Sequence, residues 1–113
     1  MGYMRAHTFV VDSWDGQMIA EAHAAATEIF PWVSPVSPKT VNGHQSFFIP
    51  PDGSKEGWAE SAEGDERRET FKTYLRSRAY DDGSTSLRWV EVQFADDENE
   101  SLVVAHDGDR ETV

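Results

Sequence analysis

The sequence predicts an α+β domain: a two-layer sandwich in which a mostly antiparallel sheet of four to five strands carries two helices on one face. Three observations lead there. Segments 5–14, 44–49, 86–94 and 101–106 are rich in β-branched and aromatic residues at strand length. Segments 15–30 and 64–79 repeat apolar residues at spacings of three and four. Their order is β-α-β-α-β-β, and 113 residues suit one domain, here 1–106, with a frayed acidic tail at 107–113.

Each element has its own signal. In "RAHTFVVDSW" (5–14), His7, Phe9 and Val11 share one face while Thr8 and Val10 share the other. Both faces are apolar, which predicts a central strand. Ser13 or Asp15 then supplies a cap, since a short side-chain oxygen can accept from the free N–H groups of a first helical turn. In "DGQMIAEAHAAATEIF" (15–30), Ile19, Ala22, Ala26, Ile29 and Phe30 form the apolar stripe, with Gln17, Glu21 and Glu28 opposite. Pro31 ends this helix, because the residue before a proline is pushed out of helical geometry.

Prolines 31, 35 and 38 make 31–44 a stiff extended connection, with room for a short edge strand at 32–36. With that strand the order begins like a ferredoxin-like sandwich carrying one added C-terminal strand. "HQSFFI" (44–49) reads as a strand, ended by the "PPDGS" turn (50–54). The second helix takes Phe71, Tyr74, Leu75 and Ala79 as its apolar side. Arg68, Lys72 and Arg76 follow at spacings of four, with Asp65 and Glu69 each three residues before a base. That is the ion-pair ladder of a solvated helix surface. "SLRWVEVQF" (86–94) and "SLVVAH" (101–106) form a terminal hairpin around the acidic turn 95–100.

Composition excludes several functions. There is no Cys, which removes disulfides, thiolate zinc sites, iron–sulfur clusters and cysteine nucleophiles, and fits a cytoplasmic setting. The net charge is −11, and 96–113 alone hold seven acids and one base. Such a surface repels phosphate backbones and anionic lipid, so neither nucleic acid nor membrane is an expected partner. No apolar run has transmembrane length. No phosphate-binding glycine motif and no nucleophile elbow occurs around Ser13, Ser46, Ser54 or Ser61, so no cofactor and no catalytic residue is expected.

Two constellations could carry chemistry. The first is "GSKEGWAESAEGDERRETF" (53–71). Trp58 either folds back as a plug, allowed by Gly53, Gly57 and Gly64, or forms a stacking wall with Lys55, Arg67 and Arg68 as anion contacts. A pocket there would lie between the Trp58 segment, Trp32 and the strand bearing Trp89. With Arg67, Arg68 and Arg88 nearby it would suit a small carboxylate or phosphate. The second is a set of strand histidines, His7, His44 and His106, with Glu91 near them. Three imidazoles and a carboxylate would suit zinc or another divalent ion, although no HxH or HExxH spacing is present.

The leading expectation is a non-catalytic, cytoplasmic module that binds another protein or itself, with a homodimer through a sheet edge or the bulky aromatic surface. The rival is an anion-binding or enzymatic domain with a pocket near Trp58.

Overall fold

The computed structural model describes residues 4–51, 54–55, 59–94 and 101–108. Strand β1 (Met4–Ser13) is the spine of the sheet. It pairs antiparallel with β2 (Gln45–Ile49) on one side and β4 (Arg88–Phe94) on the other, and β5 (Leu102–His106) pairs antiparallel with β4. The order is β2-β1-β4-β5, with the two-residue β3 (Ser54–Lys55) pairing the start of β1 at Met4 and Arg5. The central place of β1 follows from its apolar residues on both faces. The sandwich of an antiparallel sheet and two helices is thus present.

Helix α1 (Gly16–Ile29) begins where Asp15 accepts the N–H groups of Gln17 and Met18 at 3.0 and 3.2 Å. Asp15 is therefore the cap, while Ser13 Oγ accepts from the Asp15 N–H behind it at 3.0 Å. Phe30, with ψ 145 ahead of Pro31, closes the helix.

The prolyl segment is not a strand. It runs beside β2 and seals that edge through the repeat Ser34-Pro35-Val36-Ser37-Pro38. The N–H groups of Ser34 and Ser37 donate to the carbonyls of Phe48 and Ser46 at 2.9 and 2.8 Å. Their hydroxyls accept from the N–H groups of the same two residues at 2.8 and 3.0 Å. The N–H groups of Phe48 and Ser46 thus find serine hydroxyls as acceptors where a paired strand would offer carbonyls, and the edge is covered. The segment turns into β2 through a short 3-10 turn (Val41–Gly43), where Asn42 (φ 67) and Gly43 (φ 76) take left-handed geometry that both residue types tolerate.

Helix α2 (Ala59–Ser77) starts five residues before the expected Gly64. Alanine and glutamate sustain helix there, and Gly64 lies buried within it rather than in a loop. The core fills the space between both helices and one sheet face. Phe9 meets Phe71 edge-on at 5.3 Å, and Phe30 meets Phe71 at 5.6 Å. Val11, Ile19, Leu75 and Leu87 are fully buried around them.

Candidate functional site

The register puts His7, Phe9, Val11, Trp89, Glu91 and Gln93 on the helix-facing side of the sheet. Phe9, Val11 and Trp89 build the core; Glu91 beside them is a carboxylate only 2% exposed. An ion in that position must be paired, and it is paired from two elements. From β1, His7 Nδ1 donates to Glu91 Oε2 at 2.8 Å. From α2, Lys72 Nζ lies 2.9 Å from Oε1 and Arg68 Nε 3.7 Å from Oε2. Both bases hold a second acid, Asp65 for Arg68 and Glu69 for Lys72, each at 2.5 Å.

These contacts set the charges. Burial pushes the Glu91 carboxyl up, but hydrogen bonds from His7 and Lys72 outweigh it and hold it below the usual carboxylate range. Burial pulls the Lys72 ammonium down, but Glu69 and Glu91 outweigh it and hold it above the usual lysine value. Glu91 is therefore ionised and can only accept, so His7 donates to it through Nδ1. The other ring nitrogen, Nε2, is buried and has no hydrogen-bond partner.

His7 and Arg68 form the wall between two spaces. On the Glu91 side is an open polar cleft of about 300 Å³, walled also by Asp65, Glu69, Lys72 and Gln93. On the β2 side is a narrow hole of about 10 Å³, whose other walls are Phe9, Phe30, Pro31, Trp32, Ile49 and Pro50. That is room for about one water molecule.

The residues singled out by sequence are distributed unevenly. Trp32 (68% exposed) and Arg68 (6% exposed) share the hole. Trp58 lies outside the described residues. Arg67 points elsewhere on α2, toward Glu63 at 3.8 Å. Trp89 is core, with the Arg76 guanidinium 5.6 Å above its ring. Arg88, exposed, sits 3.6 Å from Asp107 at the far end of β4. Of the histidine set, His7 and Glu91 meet. His44 lies at the other end of β1, donating to Asp12 at 2.7 Å, and His106 pairs with Val90 on the opposite sheet face. Among the described residues no group of three or more His, Cys, Asp or Glu could hold a metal ion.

One arrangement resembles a nucleophile relay and is not one. Ser46 Oγ donates to Asp12 Oδ1 at 2.7 Å while His44 holds Asp12 Oδ2. The carboxylate sits in the middle, so no imidazole takes the serine proton.

The expected solvated ladder on α2 requires correction. Arg68 and Lys72 share a helix face with Phe71 and Leu75, and they cover Glu91 instead of water. The signal was available in the spacing: position 68 lies three before Phe71 and seven before Leu75, on the core stripe.

The other sheet face carries no helix among the described residues. Phe48, Val10 and Val90 form one cross-strand row, Thr8, Val92 and Val103 a second, and Ala6 and Phe94 a third. Val10, Phe48, Phe94 and Val103 are 44%, 46%, 45% and 59% exposed. Asp12 and Arg88, opposite each other at one end, bring one charge of each sign.

No protein-family model, no curated protein and no solved structure matches this chain. No helix among the described residues is long and apolar enough to cross a membrane.

Proposed function

We propose that this chain is a cytoplasmic self-association module without catalysis, and that two copies pack through the open sheet face. The observation that carries the reading is the set of exposed apolar side chains Val10, Phe48, Phe94 and Val103, around a buried Thr8. Exposed apolar area of this kind on a charged domain marks a contact surface. A second copy is the favoured occupant because, in a chain of charge −11, the rows from Ala6 to Val10 and from Val90 to Phe94 carry no charged residue on this face; Asp12, Arg88 and Asp107 lie together at one end. Two copies can therefore meet there without like charges opposing, and a two-fold axis sets the same rows against themselves. Two sheet faces packed in this way form a sandwich about 10 Å apart.

The test is the mass in solution of Val10→Asp against Val41→Asp, by size exclusion with light scattering. Val41 is 83% exposed but lies in the 3-10 turn, off the face. Val10→Asp is expected to run as a monomer and Val41→Asp as a dimer. Equal masses for the two variants would count against the open face as the contact.

A further inference from the structure

We propose that the outer edge of β5 docks an extended peptide of another protein, apolar at its centre with lysine or arginine at its ends, as an added strand. The site adjoins the open sheet face and does not rest on self-association.

The two edges of the sheet differ. At β2 the hydroxyls of Ser34 and Ser37 cover the outer N–H groups. Among the described residues β5 ends the order β2-β1-β4-β5, and no segment pairs its outer side. A last strand offers a row of N–H and C=O groups to any chain that can lie beside it. This one also shows three apolar residues in succession: Leu102, Val103 and Val104 are 52%, 59% and 42% exposed. Adding a strand would join main-chain hydrogen bonds to burial of those side chains.

The edge is more than a border of the open face. Leu102 stands opposite Gln93, on the helix side of the sheet. Val103 and Ala105 stand opposite Val92 and Glu91, which leaves Val104 as an extra residue between them. Such a bulge bends and twists its strand. Val104 thereby lines the polar cleft beside Asp65, Glu69 and Gln93.

The charges select the occupant. The stretch 96–113, which contains β5, holds seven acids and one base. The cleft beside Val104 holds Asp65, Glu69 and Glu91 against Arg68 and Lys72, three acids to two bases. A second copy of β5 would bring the same surplus of acids against this one, and a twisted edge lies poorly along another rigid edge. A short flexible segment can follow the twist. Bases on either side of its apolar centre answer the acids on either side of β5.

The probe is the peptide Lys-Lys-Val-Thr-Val-Thr-Val-Lys-Lys. One counterpart has glutamate for every lysine, and the other has three prolines for the central Thr-Val-Thr, which keeps the charge and removes N–H groups from both sides of the strand. The readout is amide hydrogen exchange by NMR in the wild-type chain at one fixed concentration. At about 1 mM peptide, ten times a dissociation constant of about 0.1 mM, about nine-tenths of the chain is bound. The amides within 102–105 that face away from β4 are then expected to exchange roughly tenfold more slowly, because only the free fraction exposes them. Ser46 and Phe48, at the covered edge, are expected to keep their rates. Both counterparts are expected to bind at least roughly tenfold more weakly. Unchanged exchange across 102–105 overturns the site. Equal protection by the glutamate peptide overturns the selection by charge, and equal protection by the proline peptide overturns the added strand. The same slowing at Ser46 and Phe48 overturns the assignment to the β5 edge.

Discussion

Replacing Glu91 by Gln tests the buried cluster directly. The change keeps the side-chain shape and removes the charge that His7, Lys72 and Arg68 share. Removing one partner of a buried ion pair typically costs about 3–5 kcal/mol, because the remaining charge is left uncompensated. Here the cost is smaller. Lys72 keeps Glu69 and Arg68 keeps Asp65, and both of those acids are at least half exposed to water. We expect a loss of about 2–3 kcal/mol at neutral pH. For a domain of this size that lowers the melting temperature by roughly 10–15 °C. The pH dependence follows from the sign of the shift. The Glu91 carboxyl is held below its unfolded value, so its contribution is complete above the ordinary carboxylate range and is lost as pH falls through the depressed folded value. Urea unfolding of wild type and Glu91→Gln from pH 7 down to acid should therefore show two curves that converge at low pH. A variant within about 0.5 kcal/mol of wild type at pH 7, the size of an ordinary surface change, would refute the cluster as a source of stability. Curves that stay parallel into acid would refute the charge as its cause.

The remaining predictions concern the frame. Asp15→Ala removes the cap of α1 and should cost about 1 kcal/mol in thermal or urea unfolding, whereas Ser13→Ala should leave the Gln17 and Met18 amides protected. The double change Ser34→Ala with Ser37→Ala removes the acceptors of the Phe48 and Ser46 N–H groups. It should cost about 1–3 kcal/mol and speed hydrogen exchange at those two amides ahead of the β1–β4 ladder.

Much of the fold was legible because its signals are local. The apolar stripe from Ile19 to Ala26, the stop at Pro31 and the two-faced apolar character of β1 each act within a few residues. The start of α2 was expected at Gly64, yet Gly64 sits buried inside a helix that begins at Ala59. The Ser-Pro edge could not be read from propensity, since hydroxyls replace the main-chain partners that define a strand.

The site was legible in pieces. Trp32 and Arg68 were singled out for a pocket, and His7 and Glu91 within a set that also held His44 and His106. Sequence alone split them between an anion pocket and a metal set. Which histidine meets Glu91 depends on the register of β1 against β4, fixed by pairing across more than eighty positions in the chain. Lys72 was missed as a buried partner because its pairing with Glu69 looks, in one dimension, like any surface ladder.

The open face of the sheet is the centre of the account, and the mass of the wild-type chain across a concentration series tests it most directly. Sedimentation equilibrium should give twice the chain mass of 12.7 kDa at high concentration, falling toward 12.7 kDa on dilution. A mass of 12.7 kDa at every concentration up to about 100 μM, a hundredfold above a micromolar dissociation constant, would contradict it.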